Sequence, residues 1–226
     1  MLSMGMILLL ALADDKETED ALQKFKAAMK SPDLSLRVAA VADLGRLQNV
    51  RVLKVLAACL VTDDKQVRMA AAKALGAFPE KKSQTVAVLS EGLDPNVKDP
   101  DVQVEILSAL HTLHDDSALA TAYRHLDDKN AKVAEAAIGI TGAVHSRASI
   151  DPLIRLMKKL LTAGEGVSSG DGSFDVPPDE ALRDRARKLE AAAAKALQAI
   201  TGEKWSTAQE WGAWWKSNSG SFKVKE

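Results

Sequence analysis

Hydrophobic side chains make up 46% of the 226 residues, which is enough for a sizeable core, whereas aromatic residues make up only 4%. Thirty basic residues nearly balance thirty-one acidic ones, so the formal net charge is −1 and no global field favours nucleic acid or a membrane. The single cysteine, Cys59, excludes an internal disulfide and a cysteine zinc site, and its apolar surroundings indicate a small core residue.

The first thirteen residues, Met1–Ala13, are apolar and uncharged. The hydrophobic run Ile7–Leu12 and the closing Ala-Leu-Ala pattern are typical of a signal peptide cleaved before Asp14, although no basic residue precedes the run. We therefore expect export, to the periplasm or to the extracellular space. The alternative is a cytoplasmic protein whose first repeat begins with an apolar cap. The segment is too short to span a membrane, and no other stretch reaches the ~18 apolar residues that a span needs.

A ten-residue pattern recurs along the chain and is clearest in Val67–Gly76, VRMAAAKALG. The next copies lie 31 to 35 residues apart, and the last follows 60 residues after the fourth, which leaves room for an insertion. The other four copies are Leu36–Gly45, Val102–His111, Val133–Gly142 and Ala193–Gly202. Self-similarity at this period is typical of helical repeat proteins.

Each of the first four copies follows a residue type that favours a helix N-cap, namely Asp33, Asp64, Asp99 and Asn130. The side-chain oxygen of such a residue accepts a free N–H of the first helical turn. We number the pattern from 1 to 10, and positions 1, 5, 8 and 9 then share one face of a helix. These positions are apolar or small, with Asp43 at position 8 of the first copy as the exception.

An apolar periodic segment precedes each copy, so the chain predicts five helix pairs. These segments are Asp20–Met29, Val50–Val61, Ser83–Leu93, Ser117–Leu126 and Ile150–Leu161. The expected fold is all-α: a right-handed α-solenoid of about five helix pairs over residues 14–202.

The pattern Asp-x-x-Val-Arg-x-x-Ala-x-x-Ala-Leu-Gly in Asp64–Gly76 resembles the second helix of a HEAT repeat, and the likeness covers about residues 20–202. The resemblance is specific to the repeat class and implies an α-solenoid, and fold-level analogy favours a protein that binds a partner protein. In that family the Asp and Arg of the pattern form ladders between neighbouring repeats. Arg37 and Arg68 match, whereas Gln103 and Ala134 replace the arginine, so we expect an interrupted ladder.

Residues 163–178, AGEGVSSGDGSFDVPP, predict a flexible insertion in the fifth repeat. Such a loop is either a tolerated excursion or a functional element. After it, Asp179 is expected to cap a long final helix that Gly202 ends.

Three tryptophans follow the last repeat. Trp211, Trp214 and Trp215 share one face of a short amphipathic helix. We expect residues 203–226 to form a capping helix over the last repeat and a solvated tail; an aromatic ligand platform is the alternative.

The sequence contains no recognised catalytic motif. His111 and His114 lie three residues apart, with Asp115 and Asp116 next, and a surface metal site there is the alternative to an ordinary helix end. No phosphate loop, nucleophile elbow or dinucleotide fingerprint is present. We predict a non-enzymatic protein with no cofactor and no metal. The alternative is an enzyme or accessory factor resembling HEAT-like phycobilin lyases, which would need Glu, His or Tyr on the concave face.

Basic residues gather in the fifth repeat, but acidic residues such as Asp151, Asp184 and Glu190 accompany them. The cluster consists of Arg147, Arg155, Lys158, Lys159, Arg183, Arg185, Arg187 and Lys188. Because phosphate binding needs unbalanced positive charge, this mixture indicates a solvated face and no nucleic-acid partner.

Positions 1, 5, 8 and 9 are expected to face the core, and a partner surface is predicted on the opposite face of the second helices. Positions 3 and 6 of successive copies are mostly apolar, and second helices line the concave side of such a solenoid. The predicted contact residues are Val38, Val41, Met69, Lys73, Val104, Leu107, Glu135 and Ile138. The alternative is that neighbouring second helices bury these side chains against one another. We expect a monomer that binds a partner protein.

Overall fold

The protein is described here by a computed structural model. The described residues are 4–78, 82–163, 165, 167–168, 175–176 and 179–224, with side chains from residue 16 onward except in the two short strands. The chain divides into two compact units, unit 1 (Met1–Leu113) and unit 2 (His114–Glu226). Among the described residues, no helix is long and apolar enough to cross a membrane.

The described residues of unit 1 form three consecutive helix pairs. Its helices are α1 (Met4–Ala28), α2 (Leu34–Leu44), α3 (Val50–Cys59), α4 (Lys65–Gly76), α5 (Lys82–Glu91) and α6 (Pro100–Leu113), with a 3₁₀ turn at Asp94–Asn96. The second helices of the pairs stack, α2 on α4 and α4 on α6. This stacking of helix pairs confirms the predicted α-solenoid class of fold.

In unit 2, the described part of the chain forms two helix pairs followed by one more helix. Its helices are α7 (Leu119–His125), α8 (Ala131–Val144), α9 (Ile150–Leu160), α10 (Glu180–Thr201) and α11 (Ala208–Asn218), with 3₁₀ turns at Asp116–Ala118 and Arg147–Ser149. Here too the second helices stack, α8 on α10, and α11 packs on α9.

The caps explain where the second helices begin. Asp33 accepts a hydrogen bond from the backbone N–H of Ser35, and Asp64 accepts one from Gln66. Asn130 caps α8 in the same way, and Asp179 caps α10 through the N–H of Leu182. These predicted caps are confirmed. At the other end of α10, Gly202 adopts a left-handed φ of 77°, a conformation that favours glycine.

Glycine at position 10 sets how closely second helices approach. A Cβ on Gly45 would lie 2.6 Å from the Cβ of Ala74, and one on Gly76 would lie 3.0 Å from that of Ala109. In both junctions, therefore, position 10 of one copy meets position 8 of the next. Only small residues permit this separation.

The corresponding junction in unit 2 corrects the alignment of the last copy. A Cβ on Gly142 would lie 3.2 Å from the Cβ of Ala196, so Ala196 occupies position 8. The fifth copy therefore starts at Leu189, one helical turn before the predicted Ala193. Burial alone does not distinguish the two registers, because residues four apart share a helix face and both Leu189 and Ala193 are fully buried.

Two regions differ from simple helix pairs. The predicted signal segment adjoins the repeats without a break, since α1 runs as one helix from Met4 through Asp14 to Ala28. The side chains of residues 1–15 lie outside the described part. Within the predicted insertion, β1 (Val167–Ser168) pairs antiparallel with β2 (Asp175–Val176). Most of the other residues of 163–178 also lie outside the described part.

Candidate protein-interaction surface

Three apolar side chains at position 3 form a row on unit 1, which we name the apolar row: Val38 on α2, Met69 on α4 and Val104 on α6. All three are partly exposed, and the helices that carry them stack in that order. Lys73 on α4 is exposed. Partly exposed apolar residues at one register position of adjacent helices offer a continuous contact surface.

Position 6 does not belong to this surface. Val41 and Leu107 are fully buried, as is Ala72 between them in the series. In unit 2, Ile138 is 1% exposed, whereas Glu135 at position 3 is exposed. The expectation that Val41, Leu107 and Ile138 contact a partner is therefore wrong. In a stack of second helices, these side chains pack into the layer between helices.

The arginine ladder fixes α2 and α4 in unit 1. Arg37 on α2 makes a bidentate ion pair with Asp63, with Nη2 2.9 Å from Oδ1 and Nε 3.1 Å from Oδ2. Its Nη1 also donates to the carbonyl of Ser31. The backbone N–H of Asp64 and then Arg37 hold the pKa of Asp63 below its usual range. The acceptor is Asp63 rather than Asp64, whose side chain caps α4.

A second rung contains a fully buried amide. Arg68 on α4 donates from Nη2 to Asp99 at 2.9 Å and from Nη1 to Oδ1 of Asn96. Asn96 is 0% exposed, and its Nδ2 donates to the carbonyls of Leu60 and Gly92. The ladder has two rungs in unit 1, as the arginine pattern predicts. Because these bonds link successive repeats, they hold the helices of the apolar row in register.

Acidic partners accompany much of the basic cluster of unit 2. Arg185 and Lys159 both bind the carboxylate of Asp127, at 3.0 and 2.5 Å. Arg183 pairs with Glu180, and Arg187 with Asp184. The cluster is therefore a mixed surface, as its composition predicts.

The residues considered for chemistry are dispersed. His111 and His114 are exposed, and the described residues contain no group of three His, Cys, Asp or Glu placed to hold a metal ion. Burial raises the pKa of the Cys59 thiol to about 11, and the nearby charge of Asp63 adds to the effect. Since Cys59 is 5% exposed and its thiol stays protonated at neutral pH, it acts as a core residue.

Helix α11 buries two of its tryptophans in the core of unit 2. Trp211 is fully buried, and Trp215 is 9% exposed. The indole N–H of Trp215 donates to Asp151 at 2.8 Å, and the guanidinium of Arg147 lies 5.2 Å from the ring centroid. The helix starts with a capping box between Thr207 and Glu210. These contacts cover the α9–α10 layer.

One surface of unit 1 lay outside the predicted site. A groove of about 860 Å³ runs between α1 and α2, and we name it the open groove. It is lined by Lys16, Glu17, Asp20, Ala21, Lys24, Phe25, Ala28, Leu36, Ala39, Ala40, Asp43, Leu44, Arg46 and Leu47. One residue of the sequence indicates this groove. A carboxylate, Asp43, stands at position 8, where the internal junctions have an alanine.

The comparison with protein-family models agrees with this repeat architecture. A family model described as HEAT repeats matches residues 5–76 and again residues 22–99. No curated protein matches the chain. Among solved structures, the chain is similar to the crystal structure of an engineered protein at 18% identity, with 90% of each chain covered and a TM-score of 0.44. The family match lies wholly within unit 1.

Proposed function

We propose that this chain, whose residues 5–99 match a model of HEAT repeats, is a non-enzymatic scaffold that binds a partner protein through the apolar row. HEAT repeats commonly serve as interaction scaffolds, and the match supports this proposal. In this class the second helices face the concave side. The partner supplies an extended or helical segment that lies across α2, α4 and α6 and contacts Val38, Met69 and Val104.

The proposal is carried by the exposure of the apolar row. Elsewhere in the same helices, apolar positions 1 and 6 of the second and third copies are fully buried, including Val67 and Val102. Position 3 alone keeps an apolar side chain partly accessible in all three helices of unit 1. Lys73 adds a positive charge next to Met69, and such a mixture of apolar and charged groups is typical of an interface.

Site-specific photo-crosslinking in the native host tests this surface. A crosslinking residue at Met69 or Val104 is expected to trap the same protein, and the adduct is expected to disappear when Val38→Glu is added. The matched controls place the crosslinker at Lys54 on α3 and Gln84 on α5, both exposed on first helices. Adducts of equal yield at all four positions, or none at Met69 and Val104, would overturn the proposal.

We also propose that the protein is exported and cleaved before Asp14. The apolar segment Met1–Ala13 supports this proposal, and removal of that segment would leave α1 as Asp14–Ala28, which still contains the buried Leu22 and Phe25. Mass spectrometry of the N-terminus, combined with cell fractionation, tests it. A mature chain that starts at Asp14 in the periplasm or medium is expected, and a retained Met1 in the cytosol would contradict it.

A further inference from the structure

One member of the apolar row can change its polarity through a chemical reaction. Met69 lies on α4, and its neighbours in the row are Val38 on α2 and Val104 on α6, in the order in which the three helices stack. The valine side chains are hydrocarbons, whereas the thioether of a methionine can be oxidised to a polar sulfoxide. A two-electron oxidant therefore acts on the middle residue of the row and leaves the two valines unchanged.

Met69 is more accessible to an oxidant than the buried sulfur-containing residues. It is partly exposed, whereas Met157 in the core of unit 2 is 0% exposed. Cys59 is 5% exposed, and burial raises the pKa of its thiol to about 11, so the reactive thiolate is scarce at neutral pH. Met29, just after α1, is also partly exposed but lies outside the apolar row. Oxidation thus affects the row through Met69.

A sulfoxide at Met69 is compatible with the folded repeat. Val67 and Leu75, at positions 1 and 9, are fully buried and hold α4 in the stack. Position 3 lies about 200° around the helix from position 1, so an oxygen atom added there stays outside the core. Lys73 is exposed one helical turn further along the same face, and an ammonium group can donate a hydrogen bond to a sulfoxide oxygen. The oxidised side chain therefore remains solvated at the surface.

We propose that Met69 is a modification site where hydrogen peroxide oxidises the thioether and thereby weakens the binding of a partner to the apolar row, an inference that rests on the proposed function. The sulfur gives up two electrons and takes one oxygen atom. An S–O bond forms, the O–O bond breaks, and the other oxygen leaves with both hydrogens as water. Against an apolar partner, the sulfoxide oxygen loses its hydrogen bonds to water, which opposes binding. A sulfoxide reductase with a dithiol restores the thioether and releases water and a disulfide.

Peroxide treatment of the purified full chain tests the reaction. Because susceptibility follows exposure, mass spectrometry is expected to show that Met69 becomes a sulfoxide about tenfold faster than Met157 or more, while the Cys59 thiol stays reduced. Circular dichroism is expected to show an unchanged helix content. A Met69 that reacts as slowly as the fully buried Met157, or a chain that loses its helices as Met69 reacts, would overturn the proposal.

Photo-crosslinking from Val104 tests the effect on binding. The purified chain with the crosslinker at Val104 is oxidised, freed of peroxide with catalase, added to an extract of the native host and illuminated, so that the partner itself is not oxidised. Oxidation is expected to lower the adduct yield about tenfold or more, and sulfoxide reductase with a dithiol is expected to restore it. A yield that stays constant while Met69 is fully oxidised would show that the sulfoxide does not control binding.

Two variants assign the loss of binding to Met69. Met69→Leu has no sulfur at this position, so peroxide is expected to leave its adduct yield at the untreated level of the same variant. Met29→Leu is the matched control at a partly exposed methionine outside the row, and its yield is expected to fall as in the unsubstituted chain. Equal losses in Met69→Leu and the unsubstituted chain would place the effect at another residue and overturn this inference alone. An untreated chain that forms no adduct would contradict the proposed function and this inference with it.

Discussion

The first repeat of unit 1 and the last helix layer of unit 2 each have an apolar face, but only the face in unit 2 is covered by another helix. In unit 2, α11 covers the α9–α10 layer with Trp211 and Trp215, which are 0% and 9% exposed. In unit 1, the outer face of α1 and α2 keeps Leu36 accessible and carries charges around it. This chain uses aromatic burial in one unit and a charged rim around an open groove in the other.

The largest expected effect distinguishes position 8 in a junction between two copies from position 8 in the open groove. Ala109 is 5% exposed beneath Gly76, so Ala109→Asp buries an unpaired carboxylate. We expect the free energy of unfolding to fall by about 3–5 kcal/mol, as for other uncompensated buried charges. Urea denaturation measures this change. The matched variant Asp43→Ala, at the same register position in the open groove, is expected to change stability by less than about 0.5 kcal/mol. Equal effects would contradict the comparison.

The next prediction tests the apolar face of unit 2 that α11 covers. Trp211→Ala removes a fully buried indole from the core of unit 2, and we expect a loss of about 3–5 kcal/mol with exposure of the α9–α10 layer. Denaturation followed by dye binding to exposed apolar surface measures both effects.

Trp205→Ala serves as the control for Trp211, because Trp205 is 36% exposed and precedes α11. Its expected cost is below about 1 kcal/mol. If Trp211→Ala costs no more than this control, α11 does not stabilise unit 2, and the contrast between the two faces loses its energetic basis.

Periodicity and capping chemistry were sufficient to predict the helix pairs. The side chains of Asp33, Asp64 and Asn130 cap the helices that the pattern assigns to them. A period of 3.6 residues defines one buried face, and this explains why the fully buried Val67 and Leu75 were predicted correctly. These features are local, so the order of residues encodes them directly.

The partner surface was only partly predictable, because it depends on neighbours that periodicity does not contain. A second helix in a stack has another helix on each side, and this is why Val41 and Leu107 at position 6 are buried while Val38 stays partly exposed. The start of the fifth copy was predicted one helical turn too late for a similar reason. Only the close approach of Gly142 to Ala196 distinguishes a start at Leu189 from one at Ala193.

The smallest expected effect concerns the charges that join α9 and α10 to the loop before α8. Burial raises the pKa of Asp127, but hydrogen bonds and charges from Lys159 and Arg185 outweigh it and lower the pKa overall. Because the folded pKa is below the unfolded value of about 3.9, this carboxylate stabilises the fold above that value, and the contribution is lost as pH falls through the folded pKa. Asp127 is partly exposed, so we expect Asp127→Asn to cost about 1 kcal/mol or less at pH 7. The cost should shrink progressively below about pH 4, where the stability profiles of variant and wild type converge.

Asp184→Asn, at a carboxylate that is 60% exposed and pairs with Arg187, provides the control and should leave the profile nearly unchanged. A difference between Asp127→Asn and wild type that stays constant down to acid pH would mean that the Asp127 carboxylate stabilises unit 2 by packing rather than by charge.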